Sequence, residues 1–458
     1  MYPFRKKKLD DNLVEQSILW HIVKNFYIQQ GPDAWNDQVP FTITNLRSIA
    51  HAHAKRILSQ TSSQDNICIV DYGAGIGQHG FFLATELQAL RPNRKFKLIL
   101  ADISERTLSY WRNHPQLSVL IDQGLVIPHL LSGDIEQDTT QVKQQYQPHA
   151  YIFNYLIDSL PLQAVSHNYM QNLRLYTNEK HLQNGAFNGN LRQLDMQFHC
   201  SGQQPNLKYQ IDKKHYTIPT KGIELLNAIF EDSHCQIAII NDKGALTLDD
   251  IADDGDFSID LEGCFSSRLN FHLLLSALPT DLNIARYGHQ TSPIKSCVIS
   301  KNEIDDHDLL CPETSSLIQS IKNTPLESND HALAICRILH HDRFCLELLS
   351  QSPHLVASPS LDACINRCLS NAFTKQLDFA HLHTARIYRT TTEKDKSLKH
   401  LNAFREIYPE HPALMLEYGI HYLNDHPKLS IQHLQKAAED PKLHPVAQRL
   451  LEKVSENC

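Results

Sequence analysis

Apolar and polar positions change their rhythm along the chain, and each rhythm predicts a different element. Between positions 12 and 30, Leu13, Ile18, Leu19, Ile22, Val23, Phe26 and Tyr27 recur at helical intervals until Gly31-Pro32 ends the run, which predicts an amphipathic helix. A second helix is expected over 46–58, after the extended stretch 39–44. Together they form a helical N-terminal cap, residues 1–60, with too little core to stand alone. After the polar break 59–66, short apolar runs alternate with helical patterns, as a parallel α/β sheet requires. Strands are expected at 67–72, 96–101, 125–131, 150–155 and 236–242, with helices starting near Gln78 and Ser104. Ser104 followed by Glu105 reads as an N-cap with an acid in the first turn. Residues 162–235 interrupt this alternation. Within them 191–200 and 207–213 look extended and 221–230 helical, and an insertion at that edge of a sheet is a natural substrate lid.

Beyond position 300 the strand signal stops and the pattern is helical to residue 458. Leu382, Ala385, Tyr388, Ala403 and Phe404 are matched 34 residues later by Leu416, Gly419, Tyr422, Ala437 and Ala438. That spacing is the tetratricopeptide period. The chain therefore reads as a cap (1–60), an α/β domain (61–300, with 162–235 inserted) and an α-helical, tetratricopeptide-like domain (301–458).

Composition narrows the class. The 458 residues are 41% hydrophobic and 21% charged, and the mean hydropathy is −0.36, the range of soluble globular proteins. No apolar run reaches the roughly 18 residues of a membrane span, and Met1-Tyr2-Pro3-Phe4-Arg5-Lys6-Lys7-Lys8 lacks a secretory apolar core, so a cytoplasmic protein without membrane association is expected. A net charge of −8 argues against nucleic acid as the partner. The 11 cysteines are scattered, with no C-x-x-C pair and a closest spacing of Cys364-x-x-x-Cys368. They read as reduced core thiols. The 27 histidines, in pairs such as His51/His53, His340/His341 and His381/His383, lack metal-site spacing, so no metal is expected.

The chemical signal is concentrated in Ile67-Cys68-Ile69-Val70-Asp71-Tyr72-Gly73-Ala74-Gly75-Ile76-Gly77-Gln78, an apolar strand entering glycines and then a helix. Glycines allow positive φ and let a ligand approach the backbone, while the helix start offers unpaired N–H groups. Asp102 closes the next strand, where a carboxylate can accept both ribose hydroxyls. Gly75-Ile76-Gly77-Gln78-His79-Gly80 satisfies the dinucleotide fingerprint G-x-G-x-x-G, but the glycines begin earlier, at Gly73, and an acid, Asp71, precedes them. A carboxylate beside a pyrophosphate would repel it, whereas beside a sulfonium it is favourable. His79 reads as an exposed histidine at a helix start.

An acid followed by x-G-x-G-x-G resembles the first motif of class I S-adenosylmethionine-dependent methyltransferases. The resemblance implies a Rossmann-like sheet and S-adenosylmethionine as cofactor, held by Asp71, Gly73, Gly75, Gly77, Asp102 and, through the adenine amino group, Asp134 of Leu131-Ser132-Gly133-Asp134-Ile135. From its residues alone, Asp134 reads equally as a turn or N-cap carboxylate. Asn154-Tyr155-Leu156-Ile157-Asp158-Ser159-Leu160-Pro161 resembles the N-E-x-x-D-A-L-P motif of the MidA-like methyltransferases, and Ser266-Ser267-Arg268-Leu269-Asn270-Phe271-His272-Leu273-Leu274 is similar to that family's segment after the fifth strand. The family includes a protein arginine methyltransferase. Tyr155 stands where the family has glutamate, which removes the acid that would orient a guanidinium.

The resemblance implies Asn154 and Asp158 as substrate-positioning groups, with an Asn154 C=O accepting from the nucleophile and Asp158 holding the loop or a cation; the structural alternative makes Asp158 an N-cap. Methyl transfer is an in-line displacement that relies on positioning, so the lack of a catalytic histidine or cysteine is consistent with it. The acids Asp249, Asp250, Asp253, Asp254, Asp256, Asp260 and Glu262 form either a solvated loop or a lure for a cationic peptide. The expected protein is thus a methyltransferase acting on a protein side chain, with the helical repeats recruiting the protein partner. A catalytically silent scaffold of the same fold and an NAD-dependent enzyme are the alternatives.

Overall fold

The computed structural model describes residues 12–16, 18–34, 43–166, 171–177, 182–183, 186–187, 196–200, 215–247, 250, 259–260, 266–288, 294–304, 326–373 and 379–456. The chain divides into two compact units: Met1–Asn45 with Ile49–Gln319, and Leu46–Ser48 with Ser320–Cys458. Among the described residues no helix is long and apolar enough to cross a membrane.

The first unit is organised by strands β1 (Asn66–Tyr72), β2 (Lys95–Asp102), β3 (Val126–Leu130), β4 (Ala150–Asn154), β5 (Ile237–Ala245), β6 (Asn283–Tyr287) and β7 (Ile294–Ser300). Their spatial order is β3-β2-β1-β4-β5-β7-β6. β1 to β5 run parallel, and β7 enters antiparallel between β5 and β6. β1 is buried from its second residue onward and β7 from its second, so both faces of the sheet are covered and the runs are apolar without alternation. Val70, Ile99, Tyr151, Phe153, Ile240 and Ile299 belong to one core. The five strands expected from sequence agree with β1 to β5 to within three residues at each end. The hairpin β6–β7 was not anticipated, because β6 lies at the sheet edge with only Tyr287 fully buried.

Helices α1 (Ile18–Gln30), α2 (Arg47–Gln60), α3 (Gln78–Leu90), α4 (Glu105–Asn113), α5 (Ile135–Tyr146) and α6 (Thr220–Phe230) accompany the sheet. Ser104 occupies the N-cap position of α4 but does not cap it with its side chain; its Oγ donates instead to the Ile28 carbonyl at the end of α1 (3.1 Å). The insertion forms antiparallel strands: Gln163–Ser166 pairs with His215–Ile218, and Gln171–Thr177 with both Met196–Cys200 and Asn12–Leu13. The expected extended stretch 207–213 and the first half of 191–200 lie outside the described residues. So does most of the acidic stretch; Asp250, within it, accepts the backbone N–H groups of Leu246 and Thr247 (both 3.1 Å), as a turn carboxylate does.

The second unit contains α7 (Asn329–Ile338), α8 (Phe344–Ser350), α9 (Pro359–Ser370), α10 (Ala380–Thr390), α11 (Lys394–Ile407), α12 (Pro412–His421), α13 (Pro427–Ala437) and α14 (His444–Glu456). The internal repetition is visible as a repeated bond. Ser397 Oγ donates to the Ala385 carbonyl (2.9 Å), and Ser430 Oγ to the Gly419 carbonyl (2.7 Å). Ala385 and Gly419 are 34 apart, but Ser397 and Ser430 are 33 apart, because the bonded residues are 12 positions apart in the first pair of helices and 11 in the second. The buried equivalents in the second helix are therefore Phe404 and Ala437, not Ala403 and Ala437. The cysteines of this unit are buried free thiols, as expected, and Cys336, Cys345 and Cys368 converge.

Candidate cofactor and acceptor site

The glycine bend joins β1 to α3, and Gly73, Gly75 and Gly77 all have positive φ (75°, 54° and 78°). An L side chain at any of them would be strained. A Cβ on Gly77 would also lie 2.8 Å from Trp111 Nε1, which donates to the Gly75 carbonyl (3.1 Å). Four amides of the bend are already used. Gly73 N and Ala74 N donate to the Ala101 carbonyl (2.9 and 3.0 Å), Gly77 N to the Ala74 carbonyl (2.9 Å), and Gly75 N to Asp102 Oδ2 (3.1 Å). Gly80 serves packing: a Cβ there would collide with the side chain of Leu100.

Asp102 ends β2 and lines a cavity of about 510 Å³, a volume suited to a nucleoside-sized ligand. Its second oxygen accepts from Ser104 N (3.0 Å), and burial pushes its carboxyl up to about 7 against these hydrogen bonds. Gly73, Gly75, Asp134, Asn154 and Asp158 line the same cavity, and Trp20, Val23, Lys24 and Tyr27 of α1 wall it. Asp134 is exposed and caps α5, accepting from Gln137 N (3.0 Å). The loop before it is held by Asp138, whose two oxygens accept from Ser132 N (2.7 Å) and Gly133 N (2.8 Å).

Asp71 corrects the sequence reading. It is buried and does not line this cavity; its Oδ2 lies 3.1 Å from Nδ1 of His79, which is itself only 2% exposed, not a surface histidine. His79 Nε2 meets His53 Nδ1 of α2 at 2.9 Å, and burial, then the neighbouring His79, hold His53 well below the ordinary histidine value. Asn241 Nδ2 continues the chain, 3.4 Å from His53 Nε2 and 2.6 Å from Asn154 Oδ1, while Ser296 Oγ donates to Asn241 Oδ1 (2.6 Å). A polar relay thus runs from Asp71 to the cavity wall at Asn154.

Asn154 is likewise corrected. Its side-chain carbonyl is engaged by Asn241, and its buried Nδ2 is the atom without a partner. Asp158 is not an N-cap: it lies inside the 3-10 turn Ile157–Ser159, which begins after Leu156. Its backbone N–H donates to Asp242 Oδ2 (3.0 Å), and Ser159 Oγ donates to its Oδ1 (2.9 Å). Asp242 is fully buried within β5, and burial, then the adjacent Asp158, raise its carboxyl well above the ordinary range. Tyr155 sits beside them with φ of 53°, a left-handed conformation that is costly for a bulky residue. Burial, then Asp242 and Asp158, push its hydroxyl above the usual phenol value. Sequence reasoning missed Asn241 and Asp242, although two polar residues directly after apolar 237–240 break the apolar run of a buried strand.

The strand order, with one antiparallel strand inserted between the fifth and sixth, defines a class I methyltransferase-like fold. Searched by sequence, the chain matches no family model and no curated protein. Among solved structures it is similar to a Burkholderia thailandensis protein bound to S-adenosyl-homocysteine, with 11% identity, TM-score 0.45, and coverage of 64% of this chain and 88% of that one. It is also similar to a native superfamily protein from the same organism, with 12% identity, TM-score 0.41, and 62% and 92% coverage. At such identities and scores no function passes from these proteins to this chain.

Proposed function

We propose that the first unit binds S-adenosylmethionine and transfers its methyl group to a protein side chain, and that the tetratricopeptide-like helices recruit the protein carrying it. One observation carries the cofactor: the Asp102 carboxylate, fixed by Gly75 N, faces a cavity lined by Gly73 and Gly75 of the bend. An adenosyl sulfonium needs a diol acceptor and close approach to bare glycine backbone, and both are present.

Asp102 would hold the ribose hydroxyls, Gly73 and Gly75 would allow backbone contact, and Asp134 would accept from the adenine amino group. Bound there, S-adenosylmethionine supplies an activated methyl group. At the opposite wall the unpartnered Asn154 Nδ2 donates to an acceptor atom of the incoming side chain or of the cofactor's amino-acid end. Asp158 takes a proton from the nucleophile or holds a cation, and the protonated Asp242 beside it keeps two negative charges from being buried together. Arginine remains the acceptor implied by family resemblance, with Tyr155 in place of the acid that would grip a guanidinium.

The test is transfer of labelled methyl from S-adenosylmethionine to protein in a cell lysate. Wild type labels protein, and Asp158→Asn reduces labelling at least ~10-fold while S-adenosylhomocysteine still binds. Binding without any labelling would identify a silent scaffold instead.

A further inference from the structure

Four cysteines of the helical unit meet at one point, although the chain order separates them by as many as 32 positions. Cys336 lies in the last turn of α7, Cys345 in the first turn of α8, and Cys364 and Cys368 one turn apart on α9. They are 1%, 0%, 4% and 0% exposed. The sulfurs of Cys336, Cys345 and Cys368 lie within 4.8 Å of one another, and Cys364 is in hydrogen-bond reach of both Cys336 and Cys368. The other described thiols, Cys68, Cys235 and Cys297, belong to the first unit and to its apolar core.

Core thiols ordinarily disperse as small apolar groups. Here they gather instead, all buried, where three helices meet. Between Cys336 and Cys345 the chain reverses through His340 and His341, both left-handed (φ 55° and 53°), with His341 N donating to the Cys336 carbonyl (2.7 Å). Two adjacent strained residues persist only where the surroundings determine them. The helices so joined are short, at 10, 7 and 12 residues, and such lengths have little stability of their own.

We propose that Cys336, Cys345, Cys364 and Cys368 bind one structural zinc ion that staples α7, α8 and α9 together. A tetrahedral tetrathiolate site with Zn–S near 2.3 Å places its sulfurs about 3.8 Å apart, inside the limit observed for Cys336, Cys345 and Cys368, and Cys364, beside Cys336 and Cys368, supplies the fourth sulfur. Its full closure by four protein ligands leaves no open position, so the ion's role is to hold the fold and not to catalyse. This assignment is independent of the proposed methyl transfer.

The full chain, purified without chelator and supplied with zinc, should carry one zinc per chain by mass spectrometry of the metal. Replacement with cobalt should give a sulfur-to-cobalt charge-transfer band and intense visible bands of tetrahedral thiolate coordination, a readout on unmutated protein. The double variant Cys345→Ala, Cys368→Ala should lose at least ~10-fold of the zinc affinity. Zinc below a tenth of an equivalent in the wild type, cobalt bands of nitrogen or oxygen coordination, iron–sulfur absorption, or disulfides mapped among these four cysteines would each overturn the proposal.

Discussion

His79 and Asp71 show how far a single residue's role depends on what packs on it. The imidazole lies 3.1 Å from a carboxylate with both side chains buried, so removing the ring leaves an uncompensated acid inside the protein. His79→Leu should destabilise the first unit by about 3 kcal/mol, measured by urea unfolding, and adding Asp71→Asn should recover part of the loss because no buried charge remains. The sequence showed Asp71 and the glycines but placed Asp71 at the cofactor; its partner is His79, the second residue of α3, which in turn meets His53 of α2, a tertiary contact no local pattern reveals. Asp102, Gly73, Gly75, Asp134, Asn154 and Asp158 were legible and do line one cavity. Asp102 also carries a pH prediction. With its carboxyl near 7 when no ligand is bound, protonation competes with acceptance from a diol, so affinity for S-adenosylhomocysteine should fall as pH drops below about 7, up to ~10-fold per unit. Asp102→Asn should flatten that slope. The raised value has the opposite effect on the ligand-free fold: stability from this group is full below 3.8, its ordinary value, and is lost as pH rises through about 7.

At the scale of elements, the parallel strands were readable because burial on both faces makes each an uninterrupted apolar run. The β6–β7 hairpin was not, since an edge strand with one buried residue has no such signature. The helical repetition was readable at Ala385 and Gly419 and slipped by one residue beyond, where the bonded serine lies 12 positions after Ala385 but 11 after Gly419. Gly419 gives a direct check on that packing. Alanine in a helix ordinarily gains about 1 kcal/mol over glycine, but a Cβ here would lie 2.6 Å from Cγ and 2.5 Å from Cδ2 of the fully buried Leu434. Gly419→Ala should therefore lower stability, by about 1–3 kcal/mol, as a reduced melting temperature of the helical unit.

Over the whole molecule, two units of different construction divide the work proposed for them. The α/β unit provides a cavity whose floor is glycine backbone and whose walls carry carboxylates. The helical unit provides paired helices with a repeated serine-to-carbonyl bond and a nest of thiols. The division into an α/β part and a helical part was legible because hydrophobic rhythm changes near position 300, whereas the meeting of four thiols was not, because only the fold brings α7, α8 and α9 together. The account rests on the bend after β1 and the acid ending β2 holding an adenosyl sulfonium. Calorimetric titration of the full chain with S-adenosylhomocysteine and, separately, with NADH tests it most directly. The account predicts saturable binding of S-adenosylhomocysteine alone, weakened about 10- to 100-fold in Asp102→Asn by loss of charge-assisted hydrogen bonds. Binding of NADH in its place, or S-adenosylhomocysteine affinity indifferent to Asp102, would contradict it.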